Sequence, residues 1–145
     1  MFLAFVATFA IIVACDNAPA GSPNIALYDV TGTKTAVIPG STVDFGNVPA
    51  FSTPSRNFIV ENTGTADLLL AGSGNKVVIS GADAGDFNIP TQPPPSIPAG
   101  GSVTFDIMFT STGSSTQKYA TIGIASDDPD LANLSFNVLA FDQSS

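Results

Sequence analysis

The stretch Ser-Val-Thr-Phe-Asp-Ile-Met-Phe-Thr at residues 102–110 decides the fold class of this chain. Val103, Phe105, Ile107 and Phe109 take every second position, and Thr or Asp stands at most positions between them. In a strand, alternate side chains face opposite sides, whereas a helix would scatter these apolar residues around its circumference. The stretch therefore predicts a β-strand with one buried face and one wet face.

The same pattern continues on both sides of this stretch. Shorter strands are predicted at residues 24–30, 43–48, 57–61, 120–124 and 134–138. Gly, Asn, Asp and Pro separate them at a spacing of roughly 8–12 residues, which is typical of a β-sandwich. Two apolar runs, residues 68–70 and 77–79, flank the loop Gly-Ser-Gly-Asn, which predicts a hairpin. No segment after residue 23 has a convincing helical period, so the prediction is all-β.

Five motifs in order carry a resemblance to a known family. They are Val-Asp-Phe-Gly-Asn-Val at residues 43–48, Glu-Asn-Thr-Gly-Thr-Ala-Asp-Leu at 61–68, Ile-Ser-Gly-Ala-Asp-Ala-Gly-Asp-Phe at 79–87, Ile-Pro-Ala-Gly-Gly-Ser at 97–102 and Ser-Asp-Asp-Pro-Asp at 126–130. Together they resemble the choice-of-anchor D repeats, bacterial immunoglobulin-like domains that are similar to the ASH/MSP/Hydin group. The resemblance implies an immunoglobulin-like β-sandwich of about seven to eight strands. It also implies a cell-envelope or secreted protein without enzymatic activity.

The N-terminus predicts a signal or anchor segment over residues 1–15. The uncharged run at residues 2–14 would span roughly 20 Å as a helix, which is short of the ~30 Å hydrocarbon core of a membrane. The sequence Ile12-Val13-Ala14-Cys15 resembles a bacterial lipoprotein signal box, which implies lipid attachment at Cys15. The alternative is a retained helical anchor that ends in a small apolar Cys15. Either would place a linker at residues 16–23 and the sandwich at 24–145 beside a membrane.

Composition narrows the classes of function. The chain has 12 acidic and 4 basic side chains, a net charge of -8, which is the wrong sign for binding nucleic acid. It has no histidine, which removes Ser-His-Asp and Cys-His catalysis and every His-based metal site. We therefore expect no enzyme and no cofactor.

Acidic residues cluster in one predicted turn. Asp127, Asp128 and Asp130 lie within four residues, and short-spaced oxygen ligands suit Ca²⁺. The competing interpretation is a solvated turn around Pro129, held by hydrogen bonds from Asp side chains to nearby backbone. The turn is favoured, because the stretch lacks the glycine and the later glutamate of a dedicated calcium loop.

Two loops are candidates for partner contact. Phe51 lies between prolines in residues 49–54, and Pro93, Pro94, Pro95 and Ile97 belong to a proline-rich segment at residues 90–98. Such a segment is stiff and extended, so it could present a preformed contact or simply connect two strands.

These observations predict a non-enzymatic, membrane-tethered immunoglobulin-like module on the extracytoplasmic, periplasmic side of a bacterial envelope. The expected function is that of an accessory or scaffolding subunit that docks on a membrane complex or another envelope protein. The alternative is a ligand-binding or adhesive surface lipoprotein that recognises an envelope polymer. The chain has no Trp and two Tyr, so an aromatic platform for sugar is not indicated.

Overall fold

The structure, a computed structural model, describes residues 21–145. Those residues form eleven β-strands and one 3-10 turn at Ala84–Asp86. The strands are β1 (Ile25–Asp29), β2 (Thr35–Ala36), β3 (Thr42–Val48), β4 (Ser55–Asn62), β5 (Leu68–Leu69), β6 (Val77–Ser80), β7 (Phe87–Asn88), β8 (Ser96–Ile97), β9 (Ser102–Phe109), β10 (Thr116–Ala125) and β11 (Asn133–Asp142). Seven of them have four or more residues, and the predicted all-β immunoglobulin-like sandwich is confirmed.

Two sheets make up the sandwich. One has the order β2-β1-β4-β9-β7 and is antiparallel throughout. The other has the order β3-β11-β10-β6, in which β3 runs parallel to β11 and the remaining pairs are antiparallel. A short third pair, β5 with β8, lies beside the second sheet, because Leu70 forms a bridge to Ser126 at the end of β10.

The predicted strand at residues 102–110 is β9, inside the five-stranded sheet. Phe105, Ile107 and Phe109 are buried, while Thr104 and Asp106 are exposed, as the alternation predicts. The same alternation buries one face of β10 and of β11.

The predicted hairpin between residues 68–70 and 77–79 is wrong. The first run pairs with β8 and the second with β10, so the intervening loop joins strands that do not pair with each other. Both runs are apolar without alternation, so their sequence does not specify which neighbour each one takes.

The core joins the two sheets through aromatic rings. Phe58 on β4 is fully buried and stacks on Phe105, with 5.5 Å between ring centroids. It also meets Phe136 of the opposite sheet at 5.5 Å. Burial of each ring contributes roughly 1.5–3 kcal/mol, and paired rings add about 0.5–1.5 kcal/mol.

A bulge in β3 explains the motif at residues 43–48. Gly46 has φ of +75°, a conformation that strains any side chain, and its N–H donates to Asp44 Oδ1 at 2.7 Å. The register between β3 and β11 shifts at this point, which bends the edge strand and leaves Val48 buried.

Buried Asn62 explains the motif at residues 61–68. Its Oδ1 accepts the N–H groups of Asn24 and Gly64 at 3.2 and 3.0 Å, and its Nδ2 donates to the carbonyls of Ala66 and Ile97 at 2.8 and 2.9 Å. All four contacts are to backbone, so this side chain holds the turn after β4 against the start of β1 and against β8.

The sandwich has two ends that differ in what they hold. Ile25 pairs with Asn62, so the described chain begins at the end of β4, and we call this end the lower end. The upper end, at the start of β4, carries the loops 49–54, 81–86 and 110–115. The eight residues of β4 separate the two ends by roughly 26 Å at about 3.3 Å per residue.

The predicted N-terminal segment, with Cys15, lies outside the described residues. Between residues 21 and 145, no helix has the length and apolar character needed to cross a membrane.

Candidate functional site

A buried carboxylate organises the upper end. Asp142, the last residue of β11, is fully buried and accepts six hydrogen bonds from the loop 110–115. The donors are the Ser111 hydroxyl, the Thr112 N–H and hydroxyl, the Gly113 N–H, and the Ser114 N–H and hydroxyl; the last lies at 2.7 Å. One charged side chain thus fixes a whole loop.

This network keeps Asp142 ionised. Burial alone would raise the pKa of its carboxyl, but the hydrogen bonds from Ser111, Ser114 and Thr112 outweigh burial and hold the pKa well below its usual range. All six hydrogen bonds are accepted by the ionised carboxylate. Asp142 therefore fixes the loop and carries no proton at neutral pH.

Phe51 is the largest exposed apolar side chain on that fixed platform. It is 72% exposed and has φ of 62°, the left-handed region that aromatic residues rarely adopt. Its N–H donates to Ser111 Oγ at 3.2 Å, so the Asp142 network reaches it through one hydroxyl. The Ser111 N–H in turn donates to the Ser52 carbonyl at 2.9 Å.

The ring of Phe51 leans over Gly113. A Cβ atom at Gly113 would lie 3.4 Å from Phe51 Cζ, and Gly113 has φ of +75°. A residue with a side chain would therefore be strained in backbone and crowded by the ring. The ring of Phe51 therefore packs against a loop that is far away in sequence. The rest of the ring is open to solvent.

A third loop is fixed at the same end by an ion triad. Lys118 Nζ lies 2.9 Å from Asp86 Oδ2 and 3.8 Å from Asp83 Oδ1. Asp83 also accepts the Tyr119 N–H at 2.8 Å. The hydrogen bond to Asp86 raises the pKa of Lys118 above its ordinary value, against the opposing effect of burial.

The predicted contact segment at residues 90–98 divides into buried and exposed residues. Ile97 is fully buried in the core and Pro93 is also buried, so neither side chain is available to a partner in this fold. Pro94 and Pro95 are exposed. The segment closes the space beside β6 and β5, and the Pro95 carbonyl accepts the Leu70 N–H at 2.8 Å.

The acidic turn at the lower end is tied to the backbone. Asp128 is 1% exposed, and its Oδ2 accepts the Ile25 N–H at 2.8 Å while its Oδ1 accepts the N–H groups of Asp130 and Leu131 at 2.8 and 3.1 Å. Burial acts to raise its pKa, but these three bonds prevail and lower it. Asp127 Oδ1 accepts the Leu69 N–H at 2.8 Å.

Asp127 and Asp128 thus accept backbone N–H groups, and Asp130 takes part through its own backbone N–H. Asp128 has no oxygen left without a backbone donor, and it joins the first strand to the β10–β11 turn. Within residues 21–145, acidic, His and Cys side chains do not come together in threes as a metal site requires.

One partly buried ion pair was not predicted from the sequence. Asp29 is 7% exposed, and its Oδ2 accepts from Arg56 Nε and Nη2 at 2.9 and 2.7 Å. Burial raises the Asp29 pKa, but hydrogen bonds from Thr31 and Arg56, with the charge of Arg56, make the net shift downward. The partners are 27 residues apart, so no local signal reveals the pair.

The fold and its motifs together define an immunoglobulin-like β-sandwich domain. The sequence matches the model of the HYDIN/CFA65/VesB-like Ig-like domain family over residues 39–138, and the chain belongs to that family. No match was found among curated protein sequences.

Solved structures show the same fold at low sequence identity. A protein of unknown function from Porphyromonas gingivalis W83 is 16% identical with a TM-score of 0.55, over 86% of this chain and 67% of that one. The VesB protease of Vibrio cholerae is 11% identical with a TM-score of 0.55, over 94% of this chain and 36% of the protease. The seventh ASH/PapD-like domain of human CEP192 is 14% identical with a TM-score of 0.54, over 86% and 88% of the two chains.

Proposed function

We propose that this protein is a non-enzymatic binding module, tethered to a membrane by its N-terminal segment, that docks on another envelope protein as an accessory or scaffolding subunit. Its contact site is the upper end of the sandwich, centred on Phe51. The observation that carries the proposal is an exposed aromatic in a strained backbone, held by a buried charge network. Strain of this kind persists where the surroundings enforce it, and it concentrates at functional sites.

The position of the upper end supports this role. The described chain begins at the lower end, roughly 26 Å away along β4. A tether through residues 1–20, whether by lipid on Cys15 or by a retained apolar helix, would attach at the lower end and leave Phe51 free to meet a partner. The family match and the resemblance to choice-of-anchor D repeats are in keeping with a binding role.

Rigidity supports it as well. Asp142 holds the loop 110–115, which holds Phe51 through the Ser111 hydroxyl, and Lys118 holds the loop 81–86. A pre-organised surface loses little conformational entropy on binding, so one aromatic anchor can contribute much of the affinity.

The tether is tested by the intact mass of the native protein extracted from membranes. A mass that begins at Cys15 with added acyl chains supports a lipoprotein. A mass that retains residues 1–14 supports a helical anchor. A chain found entirely in the soluble fraction at either length contradicts tethering.

The contact site is tested by replacing Phe51→Ser and, as a matched control, Ile38→Ser, since Ile38 is another apolar side chain exposed at 65%. Both variants are isolated from membranes in mild detergent. We expect defined partners to be lost with Phe51→Ser and kept with Ile38→Ser. Equal recovery of partners with both variants would contradict the proposal. If partners are recovered only in the presence of an envelope polymer, the adhesive alternative is favoured.

A further inference from the structure

The outer face of the four-stranded sheet lacks the charge found elsewhere on the chain. Every second residue of β10 from Gln117 to Ala125, and of β11 from Asn133 to Phe141, faces outward, and none of these ten is charged. Asp44 on β3 is the one charged outward residue in the strands of this described face. The other sheet carries Lys34, Glu61 and Asp106 on its outer side.

This face also has a protrusion and a hollow on the same strand. Tyr119 is 51% exposed, and Leu139 stands beside it on β11. Four residues further along β10, Gly123 has open space where a Cβ would lie. Gly123 and Ala125 form the floor of a hollow of about 340 Å³, with Val78 on its wall. A cavity of about 150 Å³ already holds a benzene ring, so the hollow has room for an aromatic side chain.

Protrusion and hollow are placed symmetrically about Thr121. Two copies can oppose these faces about a two-fold axis that lies between the sheets, crosses the strands and is level with Thr121. Tyr119 of each copy then lies over Gly123 of the other copy. A two-fold contact requires just such a self-complementary surface.

We propose that this face is a homodimer interface, in which two copies pack sheet against sheet with Tyr119 of each in the hollow of the other. Two chains of net charge -8 repel each other. This repulsion is smallest when the two copies meet through these least charged faces, which favours a dimer at this surface. This surface is separate from the Phe51 site, so the inference does not depend on the proposed function.

The area of the face sets the strength of the dimer. The strands of this sheet have seven, ten, ten and four residues. At about 3.3 Å per residue and 4.8 Å between strands, the face covers roughly 500 Å² per copy, or about 1,000 Å² in total. That is the lower limit for a specific interface, so the dimer is expected to be weak and to form at high local concentration, as on a membrane.

The test uses site-directed crosslinking of the full chain in detergent. The variant Cys15→Ser removes the native thiol, and because it also removes the proposed lipid site the protein is assayed at high concentration. Thr121→Cys then places one thiol at the expected two-fold axis, and Thr104→Cys places one on the outer face of the other sheet as the matched control. A bismaleimide with a reach of about 10 Å matches the separation of packed sheets.

We expect covalent dimers from position 121 and few from position 104. Adding Gly123→Leu, whose Cβ would meet no atom within 4 Å, should fill the hollow and abolish the crosslink, as should Tyr119→Ser. Equal crosslinking at both positions, or none at either, would overturn the proposal. So would crosslinking at position 121 that survives both changes.

Discussion

Asp142 keeps a negative charge where water is excluded, because six donors from a single loop surround it. Asp142→Ala would leave three hydroxyls, of Ser111, Thr112 and Ser114, and three N–H groups without their acceptor. We expect the free energy of unfolding to fall much further than for Asp106→Ala, since Asp106 is exposed and accepts one bond from Asn57. Urea unfolding of both variants measures this difference, and equal losses would contradict it.

Three buried carboxylates make stability dependent on pH. Asp29, Asp128 and Asp142 all have pKa values lowered by folding, so their contribution is complete above the unfolded value of about 3.9 and is lost as pH falls below it. We expect the urea midpoint to be level above about pH 5 and to decrease toward pH 3. Asp142→Asn should flatten that decrease, and an unchanged slope would contradict the assignment.

Phe51 is stabilised by its neighbours in a backbone conformation that glycine adopts more readily. A left-handed residue with a side chain costs about 1–2 kcal/mol, and glycine costs about 0.5–1 kcal/mol in chain entropy. Phe51→Gly should therefore leave the free energy of unfolding unchanged or raise it by up to about 1 kcal/mol. Thermal unfolding against Phe51→Ala, which keeps the strain, checks this. A clear loss of stability in both variants would show that the ring supports the fold, and a loss specific to the glycine variant would contradict the strain at this position.

At the scale of the elements, Gln92 completes the open edge of β6. Its Oε1 accepts the N–H groups of Lys76 and Val77 at 2.9 and 2.8 Å, and its Nε2 donates to the Val77 carbonyl at 3.0 Å. A side-chain amide thus makes the bonds of a neighbouring strand, which protects the edge from pairing with other chains.

Gln92→Ala should free these backbone groups. We expect a loss of about 1–3 kcal/mol in the free energy of unfolding and faster hydrogen exchange at the Val77 N–H. Gln117→Ala is the control, because Gln117 is exposed and its side chain accepts one hydrogen bond, from the Tyr119 hydroxyl. Unchanged exchange at Val77 would contradict the role of Gln92.

Alternation alone predicts β9, β10 and β11, since each strand has one buried and one exposed face. It does not predict the partners of β5 and β6, whose uniformly apolar residues carry no facing information. It also does not show that the proline-rich segment covers an edge, because the burial of Pro93 and Ile97 depends on strands far away in sequence.

The candidate site was only partly visible in the sequence. Phe51 stands out as an aromatic between prolines, and the structure shows it exposed at 72%. The charge that holds it in place does not stand out, because Asp142 meets its donors across 28 to 31 residues. Networks of this kind require the fold before they can be recognised.

At the scale of the whole molecule, the proposed roles lie on different surfaces: the lower end, the upper end and the outer face of the four-stranded sheet. The described residues begin at the lower end, where Asn62 and Asp128 accept the N–H groups of Asn24 and Ile25. The upper end presents Phe51, and the uncharged face of the four-stranded sheet presents Tyr119. The proposed tether, partner contact and dimer interface therefore lie on three separate surfaces of one small domain.

Photo-crosslinking from position 51 in native membranes is the most direct test of a contact site at the upper end. A photoreactive phenylalanine analogue replaces Phe51 in one variant and Ile38 in another, and the adducts are compared by mass. We expect a discrete adduct with one partner protein from position 51 and none from position 38. No adduct from position 51, or the same adducts from both positions, would contradict a contact site at the upper end.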